Sequence, residues 1–211
     1  MAGFAPETLP LRDLWRRHRG DRIPRTGTLW HDLASFVVQQ RVSRADAAAR
    51  WRRLVTGLGT PAPGDPALVV PPDPATVARL TYEAFHRHGI ERHRADTLRA
   101  AATAAGRLGT LVDGGLAAAL RAVRSVGPWT ASCPAAQTWG DRDAVVVGDS
   151  GIPSIVGWLL AREERADDDR MLALLEPHRP HRYRVLRLAT AAGVHPPRRA
   201  PRGRRTDIRR H

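Results

Sequence analysis

The sequence predicts an all-α protein, on three observations. Apolar residues recur at helical intervals through most of the chain, and Pro, Gly and capping residues stand where those stretches begin and end. The single short β-branched run, Val145-Val146-Val147, has no evident partner strand, so strand content is expected to be near nil. With 211 residues, 42% hydrophobic and 26% charged, the chain can bury a real core, as one sizeable domain or two small lobes.

Residues 1–26 read as an N-terminal extension. From Leu29 to Leu58 the spacing predicts two helices joined by a tight turn. Leu33, Phe36, Val37 and Gln40 share one face, and Val42, Ala45, Ala49 and Trp51 follow after a break at Arg41-Val42-Ser43. Ser43 with Asp46 three residues on resembles a capped helix start. Thr60 to Pro74, rich in Pro and Gly, reads as a surface loop.

A helix is expected from about Pro74 to His88, ending at Gly89, and another from about Arg92 to Leu108. Leu116–Val123 predicts a further helix, and Pro128 opens the next. Ile152–Leu160, Asp167–Leu175 and His181–Ala192 complete the helical set. Beyond His195 the Pro- and Arg-rich stretch 196–211 is expected to be an extended, mobile basic tail. The globular part is accordingly expected to span 27–195.

The formal charge is +13, and every one of the 34 basic residues is arginine. A GC-rich genome accounts for arginine in place of lysine, but not for the excess over 21 acids. That excess favours a polyanionic partner through phosphate neutralisation and counterion release. The missing lysine excludes side-chain Schiff-base chemistry, leaving only the N-terminal amine as a remote candidate. Cys133 is the sole cysteine, so no intramolecular disulfide or Cys-ligated cluster can form. The histidines show no metal-binding spacing, and neither a metal nor an organic cofactor is expected. No apolar run approaches the roughly 18 residues of a membrane span, and the start lacks a secretory signal's apolar core. A cytoplasmic protein, with no membrane partner, is expected.

The run Leu120 to Ala131 carries the most information. A helix stops, a short turn follows, and Pro128 stands where proline best begins a helix. Gly127 is expected to free the turn so that backbone N–H groups reach the surface, where with the helix N-terminus behind them they suit one phosphate. An ordinary helix–helix corner is the alternative. Downstream, the buried run 144–147 would deliver Asp149 to the mouth of a cleft; the alternative is that Asp149 or Ser150 caps the following helix.

Taken together, Ser125-Val126-Gly127-Pro128-Trp129-Thr130-Ala131 and the downstream Asp149 resemble the helix-hairpin-helix superfamily of base-excision DNA glycosylases. The likeness is nearest to the 3-methyladenine DNA glycosylase II family. It extends over roughly 27–195: Gln40 before Val42-Ser43, Gly89-Ile90 followed by Arg94-Ala95, and Glu176 through Arg182 occupy comparable places. The resemblance implies a two-lobed helical bundle that removes alkylated purines of the 3-methyladenine or 7-methylguanine type from duplex DNA, as a monomer in the bacterial nucleoid. A helix-hairpin-helix protein that binds DNA without turnover is the alternative.

The resemblance further implies that Asp149 is the catalytic carboxylate and that Trp129 walls a base pocket with Cys133. Ser125, Val126, Gly127 and Thr130 would form the phosphate-binding hairpin, where relatives can hold a monovalent cation. Gln40 and Arg41 would also contact the DNA, with Arg41 wedged into the duplex. Trp129 could instead fill the core, and Arg41 could be an ordinary surface arginine. Trp139 and Trp158 read as core.

The match departs at several points. Ser125 replaces the hairpin's first glycine and would carry strain if its φ is positive. Cys133-Pro134 falls inside the helix that Pro128 opens, and Ser150-Gly151 follow Asp149 where relatives are bulkier. These departures bear on substrate and efficiency more than on fold.

Overall fold

The computed structural model describes residues 3–6, 8–111 and 115–197. Most of the tail reading, over 198–211, lies outside the described residues. In chain order the helices are α1 (Leu9–Arg17), α2 (Leu29–Gln39) and α3 (Arg44–Leu58), then α4 (Pro74–Arg79), α5 (Tyr82–Arg87), α6 (Arg92–Leu108) and α7 (Leu116–Arg121). They continue with α8 (Pro128–Thr138), α9 (Ile152–Ala161), α10 (Asp168–Leu175) and α11 (Arg182–Ala191), with a 3-10 turn at Glu176–His178. Between α3 and α4 lie two strands, β1 (Thr60–Ala62) and β2 (Asp65–Val70). The fold class is all-α, as the sequence predicts. No helix among the described residues is long and apolar enough to cross a membrane.

The chain divides into two compact units, with the division falling inside α8 between Pro134 and Ala135. The unit Thr28–Pro134 is built around α6, which packs against α2, α4, α5 and α7. Its interior holds Leu33 and Val37 of α2, Leu54 of α3, Phe85 of α5, and Leu98 and Ala101 of α6, all at or near zero exposure. Each comes from the apolar stripe of its helix, so burial of that stripe is what stabilises helices too short to stand alone.

The other unit joins the chain up to Gly27 with the chain from Ala135 onward. Here α9 is central, packed against α1, α10 and α11, and Leu11, Val156, Met171, Leu175 and Val185 of these helices are buried. Two ion pairs tie distant segments together: Arg187 with Asp21, and Arg182 with Asp143 at 2.7 Å. The Asp21 carboxyl is held below its usual range by the hydrogen bond from Arg187. Burial pushes Asp143 up, but hydrogen bonds from Arg182 and the charges of Arg182 and Arg179 outweigh it and leave it lowered.

Three local expectations are revised. Thr60–Pro74, read as a surface loop, contains an antiparallel β-hairpin pairing Thr60 with Val70 and Pro61 with Val69, so strand content is small rather than nil. Its Pro63-Gly64 turn places Gly64 at φ 86, and Gly59 admits no side chain because a Cβ would strike the Val70 and Val55 carbonyls. The helix expected over Pro74–His88 is two helices. Leu80 turns extended, and the Thr81 hydroxyl takes the Ala84 N–H to start afresh. The N-terminal extension contains α1, whose Leu11 and Leu14 are buried. As the sequence reading expects, the Val145–Val147 run forms no strand; Val146 is buried from an irregular segment.

Candidate functional site

The turn before α8 is shaped by a residue other than the expected glycine. The Val126 N–H donates to the Val123 carbonyl at 3.1 Å, closing a β-turn whose third residue is Ser125, at φ 63. That position favours Gly or Asn, and a side chain there costs on the order of 1–2 kcal/mol. Gly127 carries no positive φ. It accepts the Ala131 N–H at 3.0 Å as the residue ahead of α8, and the space a Cβ would fill is open. The backbone ahead of Pro128 is therefore accessible to a ligand, while Ser125 supplies the bend. Ser125 and Gly127 are exposed; Val126 is buried and anchors the turn.

Gln40 holds this turn from inside. It is 9% exposed, and its amide Nε2 donates to the Ser125 carbonyl at 3.2 Å and to the Thr130 Oγ1 at 2.9 Å. A carbonyl can only accept, so the amide nitrogen must be the atom that faces Ser125. Gln40 Oε1 is buried without a hydrogen-bond partner. Thr130, at 2% exposure, is likewise interior. Both residues were expected at the DNA surface; their side chains lie inside the unit and brace the turn.

The Gln40 backbone is held in turn. Its carbonyl, one of the orphans at the end of α2, accepts from Arg94 Nε at 2.8 Å and from the same guanidinium's Nη2. A cation at a helix C-terminus is favourable for the added reason of the helix dipole. Arg94 is buried and pairs with Glu91, which also takes Arg50 at 3.0 Å. Burial, then the charges of Arg50 and Arg41, lower the Arg94 pKa to about 10, leaving it cationic at neutral pH. Immediately after Gln40, Arg41 ends α2 in the left-handed conformation at φ 54 and is exposed.

Trp129 is half-buried and meets Phe36 edge to face, with centroids 5.6 Å apart at 88°. Part of the ring thus meets the core, and part remains accessible. Cys133 is a buried thiol on α8, and the helix runs on through Pro134. Trp139 and Trp158, expected in the core, are half-buried beneath the guanidinium groups of Arg25 and Arg162.

Asp149 belongs to the unit of α9. Its Oδ1 accepts the N–H groups of Gly151 at 2.7 Å and Ile152 at 2.8 Å, satisfying the start of α9. Among the described residues its Oδ2 takes no hydrogen bond, and the side chain is partly exposed. The preceding residue, Gly148, lies at φ 77 and gives its N–H to Asp168 Oδ2 at 2.8 Å. Asp168 therefore fixes the loop that presents Asp149, while its own Oδ1 is buried and unpartnered.

Sequence reasoning missed the bracing residues Arg94, Glu91 and Asp168. Arg94 had a signal: it shares the buried face of α6 with Leu98, Ala101 and Ala105, and an arginine on such a face must find partners. Asp168 had none, because the acids 167–169 all suit a helix start. Among the described residues no three His, Cys, Asp or Glu side chains gather as a metal site.

No protein-family model matches the sequence, and no curated protein matches it. Solved structures do. A 3-methyladenine DNA glycosylase from Archaeoglobus fulgidus superposes with a TM-score of 0.75 at 16% identity, over 86% of this chain and 64% of that one. One from Schizosaccharomyces pombe, in complex with abasic DNA, gives 0.72 at 18% identity, over 89% and 91%. The chain shares its fold with these DNA glycosylases. An 8-oxoguanine glycosylase/lyase from Clostridium acetobutylicum, in complex with double-stranded DNA, shares this glycosylase fold, with a TM-score of 0.69 at 16% identity over 87% and 66%. The chain thus spans just under two thirds of the Archaeoglobus and Clostridium enzymes.

Proposed function

We propose that this protein is a monofunctional DNA N-glycosylase of base-excision repair that releases alkylated purines from duplex DNA. The observation that carries this reading is the glycosylase fold, and it is supported by an exposed, internally braced turn opening α8, which the family resemblance reads as a phosphate grip. The +13 charge supports a DNA partner.

In this reading the exposed backbone of Ser125–Gly127 and the N-terminus of α8 take one phosphate without regard to sequence. The target nucleotide leaves the stack at a cost of a few kcal/mol, less where damage has weakened its pairing. Arg41, exposed at the tip between α2 and α3, fills the gap it leaves. An alkylated purine is cationic, so an aromatic face such as that of Trp129 attracts it by roughly 0.5–2 kcal/mol.

The positive charge also makes the base a good leaving group that needs little acid assistance. What remains is stabilisation of a sugar with oxocarbenium character and delivery of water. One carboxylate suffices for both, and we assign that role to Asp149 through its uncommitted Oδ2. With no lysine in the chain, strand cleavage through a side-chain Schiff base is not available, and the product is an intact abasic site.

Mass spectrometry of bases freed from methylated genomic DNA tests the reading. Release of 3-methyladenine or 7-methylguanine supports it, and DNA binding with no base released would leave the non-catalytic alternative. Borohydride should trap no covalent enzyme–DNA complex; a strong trapped band contradicts the monofunctional assignment.

A further inference from the structure

Two of the three non-glycine residues in the described chain that adopt a positive φ, Arg41 and Ser125, are both tied to Gln40. Arg41 follows it in sequence, directly beyond the carbonyl that Arg94 holds. Ser125 is joined to it through the amide at 3.2 Å, across 85 residues of chain. A left-handed conformation costs an ordinary residue free energy and persists only when its surroundings over-determine it. Something must therefore hold each of these residues, and Gln40 touches both.

We infer that Gln40, itself held by Arg94 and Glu91, is a positioning residue that locks the Ser125 turn in its ligand-ready shape and couples that turn to the Arg41 tip. This rests on the reading of the turn as the phosphate grip, and it extends that reading to how this chain manages without glycine at position 125. The side chain's donor makes the lock: it draws the Ser125 carbonyl inward, which fixes the peptide plane between Ser125 and Val126. The buried, unpartnered Oε1 shows that the site accepts an unsatisfied acceptor to keep that donor in place. Thr130 gives the amide a second anchor on α8, so turn and helix start move as one body.

The inference separates Gln40 from the groups that touch DNA. Replacing it should loosen the turn in the free protein, before any ligand is present. Glycine at 125 should remove most of the need for the lock, because glycine enters the left-handed region unaided.

The test is amide hydrogen exchange of peptides covering 123–131 in Gln40→Met and Gln40→Glu, with Ser125→Gly alone and combined with Gln40→Met. Gln40→Met fills a similar volume with no donor, and Gln40→Glu, when ionised, sets acceptors where the donor stood, so each withdraws the hydrogen bond while keeping most of the side chain's bulk. Both should speed exchange of the turn by about tenfold or more while exchange in the Leu98–Ala105 core of α6 stays within about twofold. Affinity for a duplex containing a stable abasic analogue should fall about tenfold in Gln40→Met and recover to within about threefold in Gln40→Met/Ser125→Gly. Unchanged exchange at the turn in Gln40→Met, which has no donor, overturns the inference, as does a Ser125→Gly effect of equal size in both backgrounds. The exchange measurement needs neither DNA nor base release, so a failure of the glycosylase reading registers separately.

Discussion

Asp149 Oδ1 accepts the Ile152 N–H at 2.8 Å, so the carboxylate proposed for catalysis is also the brace that starts α9. The helix cap uses one oxygen of this side chain, and the proposed catalytic role would use the other. Asparagine keeps an acceptor for the helix and removes the charge; alanine removes both. Thermal or urea unfolding should therefore find Asp149→Ala less stable by about 1 kcal/mol and Asp149→Asn close to the wild type. Equal destabilisation of both variants would contradict the division.

The Asp168 carboxylate holds the Gly148 N–H, one residue before Asp149. Asp168→Ala should leave DNA affinity within about threefold and lower single-turnover base release by about tenfold, with Asp168→Asn recovering much of the loss because it retains an acceptor. Loss of affinity in place of rate would place Asp168 elsewhere in the function.

Arg41 sits at φ 54 with its side chain exposed. Glycine there relieves the backbone, so Arg41→Gly should raise stability by about 0.5–1 kcal/mol in urea titration. The same change removes the proposed wedge, and base release from a fully paired duplex should fall about tenfold, with a smaller loss when the lesion lies opposite a mismatch. Unaltered release from paired DNA removes the wedge role.

Three histidines respond to pH in one direction. Burial lowers His31, with Asp32 opposing. Burial and then Arg87 lower His88, and burial followed by Arg142 and Arg184 lowers His181. A histidine with a depressed folded pKa stabilises the native state fully above its unfolded value near 6.5. It loses that contribution as pH falls, because the unfolded chain takes the proton first. Asp21 and Asp143, also depressed, add a second loss as pH drops below about 4 toward their folded values. Tm should therefore fall from pH 7.5 to 5.5, and His181→Gln should make that decline shallower. A Tm that rises over this interval contradicts the assignment.

Much of the fold was legible because its signals are local. Ser43 caps α3 by accepting the Asp46 N–H, Asp167 caps α10, and Pro128 opens α8, each within one turn of the residue it marks. The β-hairpin was not, because Pro61, Pro63 and Pro66 argue against pairing residue by residue, and only the Thr60–Val70 register shows that the prolines avoid the ladder's needs. The break at Leu80-Thr81 was within reach, since threonine before Tyr82-Glu83 is a cap signal.

The candidate site divides in the same way. The turn, Asp149 and Arg41 stand out in sequence, as does the doubt over Ser125, whose φ of 63 realises the strain a serine there implies. What secures them was hidden. Gln40 reads as one more residue on the face of α2, yet its partners lie 85 and 90 positions away, and no local pattern encodes a bond of that range.

The most direct test is single-turnover release of a methylated purine from a duplex oligonucleotide, comparing wild type with Asp149→Asn at equal DNA occupancy. The wild type should release the base, and the variant should do so more slowly by about 10²–10³ while its Kd for the same duplex stays within about threefold. Release by Asp149→Asn at the wild-type rate would contradict the role assigned to Asp149.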